Sequence, residues 1–183
     1  MSMAQGQHST VVGMVAVWFC LVAAACAGKT LPEDKTSQAA GCVAAANRDF
    51  GTSMVPATRH DTPVVTGDFN GDGTRDVACL GMTDGHDTAK IFVRLRMPDG
   101  TDRMVSLEHF SPDVPVENIR IFREPANTFT TRCGHMPEDC APDAQREIRL
   151  DHESIFLAVM DASGVLIFWN SNEERFAREW LID

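Results

Sequence analysis

Residues 63–80 read Pro63-Val64-Val65-Thr66-Gly67-Asp68-Phe69-Asn70-Gly71-Asp72-Gly73-Thr74-Arg75-Asp76-Val77-Ala78-Cys79-Leu80. Two short apolar or β-branched runs flank nine residues rich in Asp, Asn and Gly. The pattern predicts two strands joined by a tight loop, and therefore antiparallel pairing. Val77 to Leu80 is continuously apolar, as a strand buried on both faces would be. Within the loop, Asp68, Asn70 and Asp72 place oxygens at positions 1, 3 and 5. Gly73 stands at position 6, where the chain must turn sharply. The carbonyl of Thr74 and the carboxylate of Asp76, at position 9, can complete a ring of oxygens. This spacing wraps a hard cation such as Ca²⁺, which relieves the repulsion of three crowded carboxylates; Mg²⁺ keeps its waters and demands a stricter octahedron. The loop is not an EF-hand: position 12 is Cys79 rather than Glu, and a strand pattern follows it. The competing reading is a metal-free hairpin turn.

Gly67-Asp68-Phe69-Asn70-Gly71-Asp72-Gly73, followed by Asp76-Val77-Ala78, resembles the FG-GAP/VCBS calcium loop. That loop joins two strands in integrin-type propeller repeats and in many secreted bacterial proteins. The resemblance spans Val64 to Leu80 and implies Asp68, Asn70, Asp72, Thr74 and Asp76 as Ca²⁺ ligands. The motif occurs once; Thr83-Asp84-Gly85-His86-Asp87 is not a second copy. Propellers repeat the motif several times, so the resemblance implies one to two blade-like units and carries no adhesion role.

The first 25 residues read as an export signal. Val11 to Ala25 is an unbroken apolar run, long enough for a signal core and short for a membrane span. Ala23-Ala24-Ala25 directly precedes Cys26 and resembles a bacterial lipobox, which implies that Cys26 is lipidated and begins the mature protein. Cleavage nearby to give a soluble secreted protein, and an uncleaved anchor, are the alternatives. Residues 26–36 are polar and contain Pro32, as a tether would, and residues 37–183 form one domain's length of chain.

Of six cysteines, Cys20 leaves with the signal and Cys26 takes the lipid. Cys42, Cys79, Cys133 and Cys140 remain, an even number in an oxidising compartment, and predict disulfides. The segment Cys133 to Cys140 contains Gly134 and Pro137 and can close as a small loop. Cys42 with Cys79 would then tie the N-terminal segment to the strand after the Asp-rich loop. Free buried thiols are one alternative. A zinc site from Cys133, His135 and Cys140 is another, although it lacks a short Cys pair and a clear fourth ligand.

Lys and Arg number 16 against 26 Asp and Glu, a formal net charge of −10. Residues 1–25 carry no charged side chain, so the excess lies on the exported part. Such a surface argues against nucleic acid and anionic lipid as partners and favours cations or a basic protein.

Along the rest of the chain, Ser37 can cap a short alanine-rich helix through Gln38 to Asn47. Residues 49–62 read as loop. Lys90 to Arg96 alternates, with Ile91, Val93 and Leu95 on one face. Met97 to Gly100 turns the chain, and Arg103 to Leu107 can pair back. Asn118 to Phe122 alternates again, and 124–144 reads as a long stapled loop. Gln145 to Leu150 is a strand, and Ile155 to Met160 with Val165 to Trp169 is a hairpin around Asp161 to Gly164. Phe176 to Ile182 closes the chain as a strand or short helix. The connections are too short for crossover helices. The predicted fold is therefore mainly β, an antiparallel sheet or sandwich with a short N-terminal helix. Phe168, Trp169 and Trp180 are expected in the core, with a binding platform as the alternative.

No Gly-x-Ser-x-Gly, His-Glu-x-x-His or P-loop motif is present. His60 and Asp61 are adjacent, so on a strand they would point to opposite faces. His60, His86, His109, His135 and His152 are dispersed and read as surface residues. The expected function is that of a non-catalytic, calcium-stapled envelope lipoprotein. It would face the periplasm or exterior, touch membrane only through its lipid, and bind a protein or cell-wall polymer. An inhibitor or immunity protein of a wall hydrolase is the concrete form. An exported hydrolase using a metal or carboxylate pair is the alternative. The sequence sets no oligomeric state.

Overall fold

A computed structural model describes residues 34–57, 63–85, 88–110, 114–160 and 164–181. The signal segment, Cys26, most of the tether, His60, Asp61, His86 and the turn at 161–163 lie outside these residues. The chain runs α1 (Lys35–Phe50), β1 (Met54–Pro56), β2 (Val64–Gly67), β3 (Asp76–Thr83), β4 (Ala89–Arg96) and β5 (Asp102–Phe110). A 3₁₀ turn leads into β6 (Ile119–Glu124), β7 (Thr128–Thr130), the one-turn α2 (Arg132–His135) and a second 3₁₀ turn. The remaining strands are β8 (Glu147–Arg149), β9 (Ser154–Val159), β10 (Gly164–Asn170) and β11 (Arg175–Leu181).

The strands form two larger antiparallel sheets. The first runs β1-β3-β4-β5, with β2 also on β3. β2 pairs with Asp76–Cys79 and β1 with Gly81–Thr83, so the two short strands share one edge of β3 end to end. The second sheet runs β11-β10-β9-β6, and β7 and β8 make a separate two-stranded ribbon.

Alternation explains the layering. Ala78, Leu80, Ile91, Val93 and Leu95 of the first sheet share one core with Ile119, Ile121, Ile155, Leu157, Val165 and Ile167 of the second. The sheets are therefore stacked face to face as a sandwich, one of the two predicted architectures, rather than forming a single sheet. The opposite face of β3 and β4 presents Val77, Cys79 and Phe92, which pack with Val64 and Met54 under Ala39, Cys42, Val43 and Ala46 of α1. These α1 residues recur at helical spacing and form its one apolar stripe. β3 is thus buried on both faces. On the outer side of the second sheet, Ile148 and Leu150 cover Leu166, with Phe129 and Phe168 at the margin.

Both expected disulfides form. Cys42–Cys79 joins α1 to β3, and Cys133–Cys140 closes the short loop beyond β7. The second bond consumes both thiols of the zinc alternative at Cys133, His135 and Cys140.

Several local expectations shift. α1 starts at Lys35 with Asp34 as its cap, accepting from the Thr36 amide at 3.3 Å, rather than at Ser37. Lys35 and Thr36 are therefore helical rather than tether. The helix ends at Gly51 with φ +63°, and Asn47 ties its last turn to β1 by donating to Met54 O at 2.8 Å and accepting from Met54 N at 2.9 Å. That tie places a strand inside the presumed loop 49–62. The stapled loop 124–144 likewise contains β7, drawn into pairing by β8. The chain closes as strand β11. Trp169 packs edge-on against Phe176 with centroids 5.2 Å apart, while Trp180 is 52% exposed and lies outside the core where it was expected.

Candidate metal centre

The Asp-rich loop connects β2 to β3 and is held at both ends by the sandwich. Phe69 is fully buried and anchors the loop in the inter-sheet core. Asp76, the first residue of β3, is also fully buried. Its Oδ2 accepts from Phe69 N and its Oδ1 from Arg96 N, both at 2.9 Å. One carboxylate thus pins the loop's start to the end of β4. Gly71 and Gly73 take φ of +75° and +84°, the left-handed region that glycine enters without a Cβ penalty.

Hydrogen bonds close the loop on itself. Asp68 Oδ2 accepts from Gly73 N at 2.9 Å, Asn70 Oδ1 from Asp72 N at 3.2 Å, and Asp72 Oδ1 from Thr74 N at 2.7 Å. Asn70 Nδ2 donates to Asp72 Oδ2 at 2.8 Å. Among the described residues, no three His, Cys, Asp or Glu side chains converge closely enough to hold a metal ion. The five predicted ligands are therefore gathered in one loop, with Asp76 turned inward and the others in turn-type hydrogen bonds.

The electrostatics are uneven. Burial pushes the Asp76 carboxyl up to about 6; the Arg96 and Phe69 amides oppose the rise, and the nearby Asp72 and Asp68 charges add to it. Asp72 behaves oppositely. Partial burial pushes its carboxyl up, but hydrogen bonds from Asn70 and Thr74 outweigh that and hold it below the usual range. Asp68 Oδ1 is buried with no hydrogen-bond partner, as is Ser154 Oγ. An unpartnered carboxylate oxygen is costly to bury, and a cation would relieve that cost. Asp68, Asn70, Asp72 and Thr74 offer the type of oxygen donor that Ca²⁺ takes, whereas both Asp76 oxygens already accept from backbone amides.

Glu153, 85 residues from Asp68 and unmarked by any local pattern, joins this loop from the β8–β9 connection. Glu153 Oε2 accepts from Asp68 N at 2.7 Å, and Oε1 pairs with Arg123 at 3.0 Å. The neighbouring His152 packs over Gly71, where a Cβ would lie 2.9 Å from its Cδ2. A Cβ at Gly67 would come within 2.7 Å of Glu153 Oε2. Both glycines thus permit the loop of one sheet to touch the other. His152 also borders a 540 Å³ pocket with Phe168, Trp169 and Asn170.

No described helix is long and apolar enough to cross a membrane. Comparison with protein-family models, with curated proteins and with solved structures finds no match.

Proposed function

We propose that this chain is a non-catalytic, calcium-stapled binding module of the bacterial envelope, whose FG-GAP/VCBS-like loop takes Ca²⁺ through Asp68, Asn70, Asp72, Thr74 and Asp76. The observation that carries the proposal is the buried, unpartnered Asp68 Oδ1 in a loop holding three carboxylates. The two disulfides suit an oxidising compartment. There, Cys26 would carry the lipid that tethers the domain.

Calcium at this loop would fix the contact with His152 and Glu153, and with it one wall of the aromatic-lined pocket. Its role is therefore to shape a surface for a protein or cell-wall partner. Extracellular calcium modules bind at about 10⁻⁴–10⁻³ M, so the site fills outside the cytoplasm and stays nearly empty within it. The net charge of −10 suits a basic partner such as a wall hydrolase, which the module would inhibit.

The test is affinity capture from an envelope extract with and without EGTA, alongside Asp72→Ala. The proposal expects a partner that is lost in EGTA and lost to the variant. An identical captured set under all three conditions would contradict it.

A further inference from the structure

Against the acidic whole, one pocket is cationic. It measures 290 Å³ and is lined by Lys35 and Gln38 of α1, Val64–Thr66 of β2, Arg75 of the Asp-rich loop and Arg123 of β6. Three of the chain's 16 basic side chains border this small cavity, although acidic residues outnumber basic ones by ten. Arg123 is paired with Glu153, whereas Lys35 and Arg75 make no ion pair among the described residues. Asp34, which precedes Lys35 and caps α1, has its carboxylate accepting from Thr36 N. The first turn of a 16-residue helix adds the partial positive charge of its free amides.

We propose that Lys35, Arg75 and Arg123 form a receptor for one oxyanion group, a phosphate ester or a carboxylate, borne by the partner of this module. The size of the pocket matches that assignment. It lies at the lower bound for small-molecule sites, enough for an anionic group and its attachment rather than a whole cofactor. Arg75 supplies a planar fork that meets either anion with two parallel hydrogen bonds, and Lys35 supplies a mobile point charge.

The placement of Arg75 couples this pocket to the loop. It sits between Thr74 and Asp76, two of the proposed Ca²⁺ ligands, so a cation that fixes the loop fixes the backbone from which the guanidinium reaches the pocket. Oxyanion binding is therefore calcium-dependent, a deduction that rests on the calcium reading above. The bland alternative, a solvated rim of surface charges, gives no saturable site and no dependence on calcium.

The test is an amide-resolved NMR titration of the intact domain with sodium sulfate and with sodium acetate. Ionic strength is held constant with chloride, in millimolar Ca²⁺ and in calcium-stripped buffer. The expected result is saturable shifts at Lys35, Gln38, Thr66 and Arg75. Arg75→Ala and Lys35→Ala should each weaken binding about tenfold or more, and Arg75→Lys should restore part of it. Tighter sulfate binding assigns a phosphate-type group, and tighter acetate binding a carboxylate. Shifts no larger than chloride produces, or variants that bind like the wild type, would overturn the pocket. Calcium binding is read separately by melting. A protein that Ca²⁺ stabilises but that ignores both anions overturns this inference and leaves the calcium reading standing. Equal anion binding with and without Ca²⁺ overturns the coupling.

Discussion

Removing the two disulfides one at a time should cost unequal amounts, and the order is fixed by loop length. Cys42–Cys79 closes a separation of 37 residues, Cys133–Cys140 one of 7. Loop-closure entropy lost from the unfolded chain then amounts to about 3.8 kcal/mol for the first and about 2.4 kcal/mol for the second. Packing adds in the same direction: Cys42 and Cys79 are fully buried between α1 and β3, whereas α2, which holds Cys133, buries no residue. The variants are Cys42→Ala/Cys79→Ala and Cys133→Ala/Cys140→Ala, compared by urea unfolding at one protein concentration. With a slope of about 1.5 kcal/mol/M, the first should lose about 2.5 M of midpoint and the second about 1.6 M. The first should also detach α1 from β3, read as helix signal lost ahead of the main transition. Equal losses, or a larger loss for the short loop, would refute the reasoning that Cys42–Cys79 clamps the helix onto the sandwich.

Other outcomes follow from the loop. Glu153→Ala removes the acceptor of Asp68 N and the partner of Arg123; it should cost about 1–2 kcal/mol in chemical denaturation, with Glu153→Gln recovering part, since both of its contacts are part-exposed. Gly71→Ala forces a Cβ into a positive φ and against His152, and should destabilise by about 1–3 kcal/mol, measured by thermal melting. Without calcium, the raised Asp76 pKa contributes stability that is full below the unfolded value of 3.8 and lost as pH rises through about 6, so Tm should fall over that window and the fall should vanish in Asp76→Asn. Because Ca²⁺ binds the ionised carboxylate, its stabilising effect should grow across the same window.

The loop was legible because its signal is local. Oxygen side chains at alternate positions and glycines at the sharp turns must lie in sequence order to act together, and the apolar runs beside them declare strands. β9 with β10 was legible for the same reason. The start of α1 was not, because Asp34, Thr36 and Ser37 are all competent caps and packing decides among them. Once Cys42 is clamped to Cys79, the helix stripe from Ala39 to Ala46 fixes its register, and the first turn extends to Lys35. β1 was missed because its pairing depends on Asn47 reaching Met54 and on a free stretch of β3 edge, neither visible in a three-residue run. Glu153 was missed for the deepest reason: nothing in periodicity reports that two sheets will stack so that residue 153 meets residue 68. The same stacking delivers Arg123 and Arg75 to one pocket.

The most direct measurement of the central claim is thermal melting of the purified domain in a chelator and in millimolar Ca²⁺, with Asp72→Ala as control. A site of about 10⁻⁴ M affinity at tenfold excess stabilises by about 1.4 kcal/mol, and Tm should rise by roughly 3–6 °C, with no rise in the variant. Superimposable curves for the wild-type domain with and without Ca²⁺ would contradict the account, leaving an Asp-rich hairpin turn held by its own hydrogen bonds.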